Sequence, residues 1–114
     1  MPSSSVNRKI YRIHADICKT LANPIRLEIL NLLRDGEHTV NDLTVLTGYA
    51  QATVSQHLAV LRQRGVVSAR KEGINVYYEI ANLKMIQACD IIRGVLFEQI
   101  ADMEKLARSE ATTR

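Results

Sequence analysis

A chain of 114 residues, 46% hydrophobic and 24% charged, has room for one domain with a modest core. Its net charge of +3 is only mildly basic, and its two cysteines lie too far apart to suggest a disulfide scaffold. Met1-Pro2-Ser3-Ser4-Ser5 has no apolar signal core and no apolar run approaches membrane-spanning length, so a cytoplasmic protein away from membranes is expected.

An enzyme is not expected either. The chain has no Gly-rich phosphate loop, no Ser-His-Asp order and no clustered carboxylates, and its three histidines are scattered. The placement of charge says more than its total. Arg8, Lys9, Arg12 and Lys19 outweigh Asp16 near the N-terminus, and Arg62, Arg64, Arg70 and Lys71 outweigh Glu72 between residues 51 and 75. Residues 1–7 and 108–114 read as disordered tails around a single domain of residues 8–107.

Taken in order, a first helix is expected over 8–21. Ile10, Ile13, Ile17 and Leu21 form its stripe, with Tyr11, His14 and Cys18 beside it. Asn23-Pro24 restarts the chain as N-cap and first helical residue. Ile25, Leu27, Ile29, Leu30, Leu32 and Leu33 follow, too many apolar side chains for a surface helix, so this second helix is the expected core; Arg34-Asp35-Gly36 ends it.

Thr39 and Asp42 have the spacing of a capping box for a third helix, in which Val40, Leu43 and Leu46 or Thr47 recur at helical spacing and Gly48 gives the stop. The fourth helix buries Val54, Leu58 and Leu61. Its other face crowds Gln51, Thr53, Ser55 and Gln56 into the first two turns. Short neutral polar groups are an odd choice for solubility alone, which Lys and Glu serve better. They suit a helix end that enters a DNA major groove.

The period then changes. Val66–Arg70 and Val76–Ile80 read as strands, and Lys71-Glu72-Gly73-Ile74-Asn75 as the turn between them. A hairpin after such a helix is a wing, with Arg70 and Lys71 at its root placed for backbone contact. A long last helix over 83–107 carries Met85, Cys89, Ile92, Leu96, Ile100 and Met103 in steps of 3 or 4. Its stripe is expected to pair in a homodimer with the first helix, through Tyr11, His14 and Cys18. The expected fold is mainly α with a small β-hairpin: a winged helix-turn-helix of four helices, two strands and a last helix, dimeric through the terminal helices.

Three stretches together resemble the ArsR/SmtB family of winged-helix repressors. They are Lys19-Thr20-Leu21-Ala22-Asn23-Pro24-Ile25-Arg26-Leu27-Glu28-Ile29-Leu30, then Val54-Ser55-Gln56-His57-Leu58 with Leu61-Arg62 and Gly65-Val66-Val67, then Arg70-Lys71-Glu72-Gly73 with Tyr77-Tyr78. The resemblance implies a homodimeric repressor on an inverted-repeat operator in double-stranded DNA, released by an effector. It places Gln51, Ala52, Thr53, Ser55 and Gln56 at the groove. His57 lies in the same row, and Arg62, Arg70, Lys71 and Asn75 complete the expected contact set. That family usually has Ser where this chain has Ala50. The rival reading is a dimeric winged-helix protein-interaction module without its own operator.

The family's common metal sites have no counterpart. The thiolate box of metal-sensing members falls on Glu37-His38-Thr39-Val40-Asn41-Asp42-Leu43, where Thr and Asn replace both thiolates. The other site needs histidines on the last helix, and no His follows His57. No cofactor is implied. Cys18, Cys89 and His14 remain as candidate effector residues, with three readings open: a redox or reactive-sulfur switch, a soft-metal site, or plain packing of small apolar side chains.

Overall fold

A computed structural model describes residues 4–112. The elements are α1 (Ser4–Leu21), α2 (Pro24–Leu32) with a 3-10 turn over Leu33–Asp35, α3 (Val40–Thr47), α4 (Gln51–Gln63), β1 (Val67–Glu72), β2 (Asn75–Ile80) and α5 (Lys84–Thr112). The order and types match the expected winged helix-turn-helix; the ends do not all match. α1 begins inside the stretch 1–7 expected to be disordered, and α5 continues into the expected tail 108–114. Residues 1–3 and 113–114 of those tails lie outside the described residues.

The chain divides into two units, residues 1–82 and 83–114. In the first, local chemistry sets the helix boundaries. The Asn23 side chain accepts from the N–H groups of Ile25 (3.0 Å) and Arg26 (3.1 Å), while Pro24 occupies the first helical position, where its missing donor is no loss. Thr39 and Asp42 close their capping box at 3.1 Å in both directions. The Thr39 backbone N–H holds the Asp42 carboxyl below its ordinary value. Gly48 stops α3 in the left-handed conformation, with φ of 77°.

The core of this unit is Ile29, Leu30, Leu33, Leu43, Val54, Leu58, Leu61, Val66 and Val67, all buried. Of the two residues expected as alternatives on the inner stripe of α3, Leu46 is exposed, and Thr47 is half-buried and turns its hydroxyl back to the Leu43 carbonyl at 2.7 Å. Ile25, Leu27 and Leu32 of the expected core helix are half-buried.

The hairpin turn is shorter than the five residues expected. β1 runs through Glu72 and β2 starts at Asn75, so Lys71, Glu72 and Asn75 belong to strands and the turn is Gly73-Ile74 alone. Gly73 has φ of 61°, and Ile74 is not among the positive-φ residues. That is the two-residue turn with Gly in its first central position, whose twist suits a tight hairpin. A further bridge joins His38 to Tyr78, with N–H donors at 3.0 and 2.8 Å. The α2–α3 connection therefore pairs with β2 on the side away from β1.

α5, the second unit, is 29 residues long, and on it Arg93 Nη1 pairs with Asp90 Oδ1 at i, i+3 and 3.2 Å. Ile92, Leu96, Ile100 and Met103 are exposed, and so are Ile91, Val95, Phe97 and Leu106, which the sequence reading left out. Met85 and Cys89 are half-buried. In α1, Ile10, Tyr11, Ile13, His14 and Cys18 are exposed as well.

Candidate nucleic-acid interface

Along α4 the burial alternates with the helical period. Val54, Leu58 and Leu61 are buried, while Gln51, Ala52, Ser55 and Gln56 share the exposed face and Thr53 is half-buried at its margin. The helix starts at Ala50, which has an extended cap conformation (φ −61°, ψ 146°) but no side chain to bond the first turn. Its carbonyl accepts from Val54 N–H at 3.1 Å. The first-turn N–H groups are thus left to solvent or to an anion, with the positive end of the helix behind them. Ala50→Ser is expected to stabilise the fold by about 1 kcal/mol, read as a rise in the urea midpoint with an unchanged slope.

The turn that aims α4 is tied down. Tyr49 hydroxyl donates to Glu28 Oε2 at 2.8 Å, and Tyr49 N–H donates to Thr47 Oγ1 at 3.2 Å. The Glu28 carboxylate raises the Tyr49 phenol above its ordinary value.

His57 is not on the exposed face. It is half-buried, and its Nδ1 accepts from Arg26 Nε at 3.2 Å, while Arg26 Nη1 donates to the Thr20 carbonyl at 3.1 Å. His57 therefore positions α4 against α2. Arg26, missed in the sequence, was signalled by a cation at the start of an apolar helix, where it needs partners. Burial, and then the Arg26 charge, push the His57 imidazole below its ordinary value. The unfolded chain then binds a proton more readily than the folded one. This contribution to stability is complete above about pH 6.5 and is lost as pH falls from there through the depressed folded value. Unfolding free energies measured across that range are expected to decline with acid more steeply in the wild type than in His57→Gln.

Arg70, expected at the DNA backbone, has protein partners in the wing: Nη2 pairs with Glu37 Oε1 at 2.6 Å, Nη1 pairs with Glu72 Oε2 at 2.5 Å, and the guanidinium lies 4.9 Å from the Tyr77 ring centre. Strand periodicity explains the set. Glu72 is two residues along the same face of β1, and Tyr77 is the cross-strand partner of Arg70. The His38–Tyr78 bridge delivers Glu37. Lys71, one residue on, takes the opposite face; it is exposed and has no ion-pair partner among the described residues, as is true of Arg62. Asn75 is exposed at the start of β2.

Cys18 and Cys89 are free thiols. Among the described residues no group of three or more His, Cys, Asp and Glu could hold a metal ion, so the metal reading of Cys18, Cys89 and His14 gains no support. No helix among the described residues is long and apolar enough to cross a membrane.

A helix-turn-helix whose second helix presents a polar row, followed by a hairpin wing, defines the winged-helix DNA-binding regulators. Comparison with known proteins agrees. A family model described as bacterial regulatory protein, arsR family, matches residues 23–69. HTH-type transcriptional regulator Rv0081 of Mycobacterium tuberculosis is 36% identical over 94 residues, 82% of each chain, and its crystal structure superposes with a TM-score of 0.73 over 82% of this chain and 94% of that one. The biofilm growth-associated repressor of Xylella fastidiosa is 33% identical over 85 residues, 75% of each. The solution structure of the homodimeric winged helix-turn-helix domain of Mb0332 from Mycobacterium bovis, 34% identical, gives 0.77 over 86% of this chain and 91% of that one. The chain spans 39% of the length of a further relative, Rv0324 of M. tuberculosis, with 38% identity over 89 residues, 78% of this chain. This chain belongs to the arsR family of bacterial transcriptional regulators.

Proposed function

We propose that the chain is a cytoplasmic homodimeric repressor that acts by binding, not catalysis, reading an inverted-repeat operator with α4 and letting go when an effector acts on it. The observation that carries this reading is the exposed row Gln51, Ala52, Ser55 and Gln56 at the uncapped end of α4. Those side chains fit base edges, and the free first-turn N–H groups fit a phosphate. Repression is supported by the Xylella relative named a repressor, and dimerisation by the homodimeric M. bovis domain together with the exposed apolar stripe of α5.

Phosphate contact falls to Lys71, Arg62 and Asn75, with Arg70 holding the wing. Lys71→Gln is expected to weaken binding equally for all sequences and to lower the salt slope by about one unit per protomer. Arg70→Gln is expected to change that slope less and to loosen the hairpin, read as faster amide exchange over residues 67–80.

The deciding experiment is fluorescence anisotropy on DNA from the chain's own upstream region, with reduced and diamide-treated protein at one salt concentration. Tight binding in the reduced state supports the operator reading. Its reversible loss on oxidation makes the exposed Cys18 and half-buried Cys89 the sensor, two thiols closing to a disulfide as diamide takes up their electrons and protons. Equal binding in both states returns the cysteines to packing. Absence of binding across a wide promoter set sinks the operator and favours a protein-interaction module.

A further inference from the structure

A cleft of about 280 Å³ opens between α1, α2 and the far end of α4, lined by Asp16, Lys19, Thr20, Arg26, Val60 and Arg64. It lies well away from the groove-facing row, since Arg64 follows Gln51 by thirteen residues, roughly 20 Å along a helix. Three cations and one carboxylate line it, so its balance is positive. Among the described residues Lys19, Arg64 and the Asp16 carboxylate have no ion-pair partner.

Arg26 differs from the two cations beside it because its orientation is fixed. Nε donates to His57 Nδ1 and Nη1 to the Thr20 carbonyl, and a guanidinium has about five N–H donors, so most of its capacity remains. The Thr20 hydroxyl is buried and returned to the Asp16 carbonyl at 2.9 Å, which stiffens that wall of the cleft. A guanidinium held in place by the protein binds a planar or tetrahedral anion without first losing its own freedom. Lys19 and Arg64 are exposed and can close over it. The volume lies just below the range of drug-sized ligand clefts, roughly 300–1,000 Å³, which selects a small occupant.

We propose that this cleft binds a small free oxyanion, a phosphate or carboxylate compound, seated on Arg26 between Lys19 and Arg64. Occupancy is felt on α4, because the Arg26 group that meets the anion also donates to His57. A bound negative charge offsets the cation that depresses the His57 imidazole, so the imidazole should titrate at higher pH when the cleft is filled.

The titrations use the full chain with no DNA present, duplex being added only as a final competitor, and so stand apart from the operator proposal. Inorganic phosphate and succinate are titrated separately in chloride at constant ionic strength, followed by amide and histidine-ring NMR. The expected result is saturable shifts at residues 19, 20, 26, 60 and 64 with a rise in the His57 titration midpoint. The probe that saturates says whether phosphate or carboxylate is the class preferred. The double variant Lys19→Gln/Arg64→Gln changes only exposed side chains and is expected to weaken binding about tenfold. Linear shifts with both probes, or an affinity unchanged in the double variant, overturn the site. Displacement of the bound probe by any duplex DNA would assign the cleft to backbone phosphate and overturn it too.

Discussion

Leu96→Glu is expected to leave the reading head folded and to weaken operator binding about a thousandfold. Leu96 is 50% exposed and lies on the α5 stripe with Ile92, Ile100 and Met103, so in a lone chain the carboxylate meets water and costs the fold little. The first unit has its own buried core in Ile29, Leu30, Leu33, Leu43, Val54, Leu58 and Leu61. In the proposed two-fold dimer through α5 the same glutamate would be buried twice, each time against an apolar partner surface that cannot solvate it. A separated protomer contacts one half-site, and its affinity falls from the specific range toward the non-specific one. Sedimentation velocity and anisotropy on the same sample decide the matter. A variant that stays dimeric, or a monomer that binds as tightly as the wild type, removes α5 as the dimer element.

What the sequence made legible was short-range. Asn23-Pro24, Thr39 with Asp42, and Gly48 each act within a few residues, and each forms the cap or stop that its residue types imply. The alternation of Val54, Leu58 and Leu61 with the polar row is equally local, since it needs only the helical period. The hairpin turn was misplaced because Gly73 and Asn75 both carry turn signals. Only the pairing of Glu72 with Asn75 shows that Gly73-Ile74 suffices. Arg70 was legible only in part and His57 not at all. Glu72 lies two residues from Arg70, but its other carboxylate, Glu37, lies 33 residues away and is brought in by the His38–Tyr78 bridge, while the partner of His57, Arg26, lies 31 residues away and is brought in by the packing of α2 on α4. Sequence patterning finds a cation and leaves open whether a carboxylate already holds it.

Gln51→Ala combined with Ser55→Ala is expected to cut discrimination between operator and random duplex by about 30-fold or more while leaving stability and non-specific affinity intact. The two positions are i and i+4 on the exposed face of α4, so both changes remove only exposed polar groups, and alanine is at least as good a helix former. No phosphate-facing cation is touched, which keeps the salt-dependent part of binding as it was. A base-edge pair contributes roughly 1–3 kcal/mol of discrimination, and a homodimer loses it in both half-sites. Even one such pair per protomer at the low end, about 2 kcal/mol per dimer, is on the order of a 30-fold loss of specific affinity. Because the two residues are neighbours, the double variant should fall short of the sum of the singles if both address one base step. Anisotropy with operator and scrambled duplexes at two salt concentrations separates the contributions. An unchanged affinity ratio would mean that α4 does not read the bases, and the polar row would then have to serve a protein partner.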